Sequence, residues 1–253
     1  MGYQVLKDNI NFIDTNSNNP KVCFLHGWGR SSKDFKRISE SFDYISFDLP
    51  GFGKSPAPKI SLNPEEYANF VLDNLPKSVE IIVGHSFGGR VATYMSLKRK
   101  FSKLVLIGVP LIQNKKSFNK KGSLYYLKKL NKIGLISDKF IEDYKNKKGS
   151  YDYRNASGIM REVLVKAVND DLKPKLNLIK TPVDLIWGSE DKEVPTSVAT
   201  AANNMFPKSS LHILNNQGHN PLNSSYDEII NIIKREAEEI NVYFLDLRES
   251  FQF

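Results

Sequence analysis

Cysteine is almost absent from this chain. Cys23 stands alone, so an intrachain disulfide is excluded. It lies in the apolar run Val22-Cys23-Phe24-Leu25 and reads as a small buried hydrophobe. Histidine is scarce too: four residues, scattered at 26, 85, 212 and 219. One cysteine and four scattered histidines offer no zinc spacing, and no metal or organic cofactor is expected. Nowhere does the chain approach the ~18 consecutive apolar residues of a membrane span. The stretch Met1-Gly2-Tyr3-Gln4-Val5-Leu6-Lys7-Asp8 has no signal-peptide pattern. Leu6 occupies the place where an N-myristoylation motif wants Ser or Thr. A cytoplasmic location is therefore the expectation. Helix-turn-helix, zinc-finger and RNA-binding signatures are missing, so no nucleic-acid partner is expected. Nothing in the sequence speaks to oligomeric state.

What is present is ordinary globular material, with 40% hydrophobic, 25% charged and 11% aromatic residues in 253 positions. That suffices for one large domain, or for a core with an insertion. The net charge of +8 is unevenly placed. Residues 113–180 hold 17 Lys/Arg against 7 Asp/Glu, while the remainder is close to neutral. Such a segment reads as a solvated lysine-rich face, or as a surface that draws acidic substrates or anionic membranes.

Strand and helix signals alternate along the first 109 residues. A hairpin is expected around Asp8-Asn9. Val22-Cys23-Phe24-Leu25, Tyr44-Ile45-Ser46-Phe47, Ile81-Ile82-Val83 and Leu104-Val105-Leu106-Ile107 are continuous apolar runs, as in strands buried on both faces. Residues 64–75 carry a helical stripe, with Pro64 at a first helical position and Asn63 as a cap. A second helix is expected to begin at Gly88. The alternation stops over 110–181, which reads as helices and loops, including 123–136 with leucines spaced by three. It resumes with a strand at Val183-Asp184-Leu185-Ile186-Trp187-Gly188, a helix over 197–205, a strand at Leu211-His212-Ile213-Leu214 and a last helix over 225–240. The pattern predicts a mostly parallel twisted sheet with helices on both faces, formed by 1–109 and 182–253, and an inserted helical cap over 110–181. The tail 241–253 has no clear partner.

The chemistry centres on Gly84-His85-Ser86-Phe87-Gly88. A serine at the tip of a tight strand-to-helix turn is held with its hydroxyl outward, and the residues two before and two after it must be small. A serine hydroxyl needs a base, and the base needs a carboxylate to orient it. His85 adjoins Ser86 and projects away from it; His26 opens a glycine loop; His212 lies within a strand. His219, on the loop after the last core strand, is the best base. Asp191, after the preceding core strand, is the best acid, with Glu190 and Glu193 as alternatives.

Five ordered stretches carry a resemblance: His26-Gly27-Trp28-Gly29, Asp48-Leu49-Pro50-Gly51-Phe52-Gly53-Lys54-Ser55, Gly84-His85-Ser86-Phe87-Gly88-Gly89, Trp187-Gly188-Ser189-Glu190-Asp191 and Gly218-His219. Together, over residues 22–219, they resemble the α/β-hydrolase superfamily, in the branch with a serine nucleophile and a cap. The resemblance implies a catalytic set Ser86, Asp191 and His219. It implies an oxyanion hole from the backbone N–H groups of Trp28 and Phe87, which would also touch substrate, and a structural role for Asp48. It implies no cofactor.

The function expected is a serine hydrolase cleaving a small carboxylic ester through an acyl-enzyme, with a small-molecule acyl substrate as its partner. Hydrolysis of C–C bonds, thioesters or amides, or acyl transfer, would use the same set. A second reading, of another class, is a slow-turnover small-molecule sensor acting through a protein partner. A third places 123–136 on an anionic membrane as a basic amphipathic helix.

Overall fold

The structure, a computed structural model, describes residues 2–5, 12–113, 151–235 and seven residues between 131 and 143. Eight strands form one sheet in the order β1-β2-β4-β3-β5-β6-β7-β8. They are β1 (Gly2–Val5), β2 (Phe12–Thr15), β3 (Val22–Leu25), β4 (Tyr44–Phe47), β5 (Ile81–His85), β6 (Lys103–Ile107), β7 (Val183–Gly188) and β8 (Ser209–Leu214). β1 and β2 pair antiparallel, and β2 runs antiparallel to β4. Every other pairing is parallel.

The continuous apolar runs have a simple cause, because both faces of the sheet are covered. Successive residues point to opposite faces. Leu104 and Leu106 join one apolar cluster and Val105 and Ile107 the other, and all four are fully buried. On the first face lie α2 (Pro64–Asp73), α3 (Phe87–Lys98) and, later in the chain, a helix over Thr196–Asn203. On the second lie α1 (Lys36–Ser39), preceded by a 3-10 turn Ser32–Phe35, and a final helix over Tyr226–Lys234. The start of α2 follows its sequence signals. Asn63 Oδ1 accepts the N–H of Glu66 at 2.9 Å, Glu66 Oε2 accepts the N–H of Asn63 at 2.7 Å, and Pro64 takes the first position.

Residues 110–181 leave after β6 and return into β7, its neighbour in the sheet. Their described part holds α4 (Tyr151–Asn155), α5 (Gly158–Asn169) and a 3-10 turn Lys173–Leu178. The helices that follow are α6 (Thr196–Asn203) and α7 (Tyr226–Lys234). The helix expected over 123–136 lies outside the described residues except at 131, 132 and 136, as do the turn at Asp8-Asn9 and the tail after 235. Among the described residues no helix is long and apolar enough to cross a membrane.

Two expectations shift. α3 begins at Phe87 rather than Gly88, because Ser86 itself breaks from the helical conformation. α7 ends at Lys234, and the stretch 236–240 of the helix expected over 225–240 lies outside the described residues. Arg235 is extended, and the buried Lys103 ammonium donates to the carbonyls of Ile232 and Arg235 at 2.8 and 2.6 Å. A cation there satisfies the orphan carbonyls of a helix end.

Candidate active site

The turn between β5 and α3 places Ser86 at φ 48° and ψ −111°. That region costs a non-glycine residue on the order of 1–3 kcal/mol, so the surroundings must impose it. The N–H of Ser86 donates to the Ile107 carbonyl at 2.9 Å, which anchors the turn to β6. A Cβ on Gly84 would lie 2.6 Å from the Gly89 Cα, and one on Gly88 would lie 2.2 Å from the Leu25 carbonyl oxygen. Only glycine fits at either place, and that is the physical content of the motif spacing.

The loops after β7 and β8 bring two further side chains to this turn. His219 Nε2 is 3.0 Å from Ser86 Oγ, and His219 Nδ1 is 2.8 Å from Asp191 Oδ2. The other oxygen of Asp191 accepts the N–H groups of Glu193 and Val194 at 2.9 and 2.8 Å. With the carboxylate as acceptor, the Nδ1 of His219 carries the proton and its Nε2 lone pair faces the serine hydroxyl. Glu193 also approaches His219, with Oε2 3.6 Å from Nε2, but its side chain is 70% exposed while that of Asp191 is 0% exposed. Glu190 makes no hydrogen bond or ion pair with the ring among the described residues.

Burial disfavours the protonated form of His219. The hydrogen bond to Asp191, the charge of Asp191 and the charges of Glu193 and Asp152 outweigh that effect and hold its pKa above the ordinary histidine value. The Asp152 pKa is raised as well, by burial, and the His219 charge offsets this only in part.

Trp28 and Phe87 lie beside the serine and stack edge-on, their rings 5.4 Å apart. Phe52 completes the aromatic group, 4.8 Å from Trp28 and 5.8 Å from Phe87. Neither backbone N–H of Trp28 or Phe87 donates to an acceptor among the described residues. His26 and Asp48 sit behind this edge. The Nδ1–H of His26 donates to the Gly27 carbonyl at 2.7 Å and its Nε2 accepts the N–H of Leu49 at 3.0 Å. Asp48 accepts the N–H groups of Ser32 and Lys54 at 2.6 and 2.9 Å, closing two loops. His212 is bound to Asp184 at 2.8 Å, away from the serine.

Ser86, His219, Trp28 and Phe87 open into a cavity of about 690 Å³. Its apolar wall is built by Pro110, Ile112, Leu164, Ala167, Val168, Val194, Pro195 and Val198, and its polar wall by Arg90, Gln113, Asp152, Asn169, Asp171, Lys173 and Glu193. Most of these were invisible in the sequence. They come from the insertion and from the loop after β7, with no motif to mark them. The positive excess of residues 113–180 is not expressed in the described wall, where that segment contributes Asp152, Asp171 and Lys173. His85, set aside as a base, acquires a different contact, its Nε2 lying 2.9 Å from the His219 carbonyl oxygen. Among the described residues no group of three or more His, Cys, Asp or Glu side chains is placed to hold a metal ion.

The comparisons with known proteins agree with this layout. A model of the alpha/beta hydrolase family matches residues 24–232. The uncharacterized hydrolase YugF of Bacillus subtilis (strain 168) is 26% identical over 249 residues, spanning 84% of this chain and 89% of the relative. The pimeloyl-(acyl-carrier protein) methyl ester esterase of Vibrio cholerae serotype O1 is 26% identical over 230 residues, spanning 79% of this chain and 87% of the relative. The esterase EaEST from Exiguobacterium antarcticum shares the fold with a TM-score of 0.65 at 20% identity, covering 92% of this chain and 97% of that one. With a family model that matches residues 24–232, from within β3 to within α7, the chain belongs to the alpha/beta hydrolase family.

Proposed function

We propose that this hydrolase cleaves a carboxylic ester with an apolar acyl group, using Ser86 as nucleophile, His219 as general base and acid, and Asp191 to orient and charge-stabilise the imidazole. The observation that carries the reading is the continuous contact from Ser86 Oγ through His219 to the buried Asp191, opening into a cavity with a long apolar wall. A methyl ester esterase among the relatives supports the choice of ester.

In the proposed reaction His219 Nε2 takes the Ser86 proton as Oγ attacks the carbonyl carbon. The negative charge moves to the carbonyl oxygen, where the N–H groups of Trp28 and Phe87 receive it; one such donor is worth roughly 3 kcal/mol. The tetrahedral centre collapses, the C–O bond to the alcohol breaks, and His219 gives the alcohol its proton. Water, deprotonated by the same His219, then attacks the acyl-enzyme; the bond to Oγ breaks, His219 returns the proton to Ser86, and the acid is released. Residues 110–181 act as the cap in this reading, since α5 supplies Leu164, Ala167 and Val168 to the acyl wall.

A fluorophosphonate probe followed by peptide mapping tests the nucleophile. Labelling on Ser86 that disappears in Ser86→Ala is expected; labelling that persists in that variant overturns the assignment. An ester panel graded by acyl length tests the substrate class. Turnover rising with an apolar chain of a few carbons is expected, and no turnover across the panel by folded, unlabelled protein, a parallel sample of which the probe labels on Ser86, rejects the ester reading and leaves the other cleavages and the slow-turnover sensor.

A further inference from the structure

We propose that His85, beside the nucleophile, is a positioning residue that holds His219 in place by donating its Nε2–H to the His219 backbone carbonyl. The inference rests on the reading of His219 as the base. The 2.9 Å contact fixes the tautomer, because a carbonyl oxygen only accepts. The His85 Nε2 therefore carries the hydrogen and its Nδ1 is a bare lone pair.

Three observations carry the role. His219 lies on a loop whose other ties fall on its neighbours: Gln217 accepts from Glu190 at 2.8 Å, Asn216 donates to Ser189 Oγ at 2.9 Å, and Pro221 accepts from Ser225 at 2.9 Å. Among the described residues, the peptide carbonyl of His219 has His85 as its one donor. His85 is also the last residue of β5, paired with Ile107 of β6. The tether thus runs from the base directly to the strand that carries Ser86, so the spacing between Nε2 and Oγ is set by the sheet rather than by the loop.

The third observation is that the other ring nitrogen has no partner. His85 Nδ1 is buried with nothing to bond. It faces the oxyanion-hole loop instead, and a Cβ on Gly27 would lie 2.7 Å from it. A side chain kept only to fill this space would be apolar, since an orphaned buried acceptor is unfavourable. The histidine is explained by the bond its second nitrogen makes. Burial keeps the ring neutral, so it does not compete with Asp191 for the charge that His219 gains in the reaction.

The test compares two amides. Gln places its N–H group near the reach of Nε2; Asn is shorter and stops near Nδ1. The protonation of His219, followed by NMR of the ring nitrogens in protein without substrate, gives a readout that needs no turnover. In His85→Asn the His219 pKa is expected to fall towards the ordinary value as its contact with Asp191 loosens, while His85→Gln keeps the wild-type titration. On an ester that wild type hydrolyses, His85→Asn is expected to lose about 10- to 100-fold in kcat, with KM changed by less than about threefold, and His85→Gln to recover most of it. A wild-type His219 titration in His85→Asn overturns the proposal, and so does an equal loss in both variants, which would mean simple packing. If wild type cleaves no ester, the ester reading fails and the titration alone decides the role of His85.

Discussion

Gly108, the residue after β6, packs against His219: a Cβ built on it would lie 3.2 Å from the His219 carbonyl oxygen and 3.3 Å from both Cε1 and Nδ1 of the ring. Gly108 also sits at φ +56° and donates its N–H to the Ile186 carbonyl at 3.0 Å. Glycine is thus favoured twice, by the left-handed backbone and by the tight fit against the imidazole. Gly108→Ala is expected to cost about 1–2 kcal/mol of stability from the left-handed backbone. It should also lower kcat by about 10- to 100-fold as the methyl displaces the imidazole. Denaturant melts beside steady-state kinetics check both, and an unchanged kcat in the folded variant counts against the contact.

The choice among acidic residues is the second prediction. Asp191→Asn leaves the shape but removes the charge and favours the wrong tautomer, and a loss of about 10⁴ in kcat is expected. Glu193→Gln should change kcat by only a few-fold, because an exposed charge 3.6 Å away is screened by water. Parallel kinetics on the two variants decide it, and the reverse ranking would move the role to Glu193.

pH separates the two histidines. In the proposed reaction a neutral His219 is needed for attack, so kcat/KM should rise with pH through its raised pKa, and Asp191→Asn should move that limb to lower pH. Stability carries the opposite signature for His85. Burial lowers its pKa to about 3, and the hydrogen bond to His219 opposes this only in part; His219 and Arg30 lower it further and Asp191 raises it. The unfolded chain ionises this residue near ~6.5. Between those values the unfolded state binds more protons, so stability falls as pH drops from ~6.5 towards about 3. His219, with its pKa raised, contributes stability below the ordinary value and loses it as pH rises through the shifted one. Urea melts across pH 3.5–8 should show a shallower acid limb in His85→Gln than in wild type; an identical slope would remove His85 as its source.

A buried network far from the serine gives the fourth prediction. Lys103 Nζ lies 3.0 Å from Asp184 Oδ2, His212 Nε2 lies 2.8 Å from Oδ1, and both charged side chains are buried. Burial pushes the Asp184 pKa up, but the hydrogen bond with His212 and the Lys103 charge hold it below the ordinary value. Its stabilising effect is present above the unfolded aspartate pKa and is lost as pH falls through the lower folded one. Lys103→Met leaves that buried carboxylate with His212 as its remaining partner and frees the end of α7. A loss of about 3–5 kcal/mol is expected, read from the denaturant midpoint, with kcat of the folded fraction unchanged.

Much of this protein was legible because its signals are local. The apolar runs of β3 to β7 betray a sheet covered on both faces, since each residue in turn meets one cluster or the other. Gly84 and Gly88 betray a turn that only glycine can close. The order of five strand-end motifs places the α/β-hydrolase fold. Local signals end where chain separation begins. Residues 188–195 favour Asp191 by its place after the strand but leave Glu190 and Glu193 as alternatives. That selection is made by the backbone N–H groups of Glu193 and Val194, which fold back onto one carboxylate, and by the loop 28 residues later that carries His219 to it. The break after Lys234 in α7 was not legible because Lys103, 132 residues from Arg235, caps its carbonyls. His85 looked idle because its partner is a backbone carbonyl 134 residues away. The wall of the cavity has no periodicity to read, since it is assembled from Trp28, α5 and the loop after β7 only once the sheet has formed. The sequence by itself determined which strand ends carry reactive groups, because strand, turn and glycine chemistry act over a few residues. Which of those groups touch, and what surrounds them, was decided by tertiary packing alone, because contacts across the sheet edge depend on distances that no local pattern encodes.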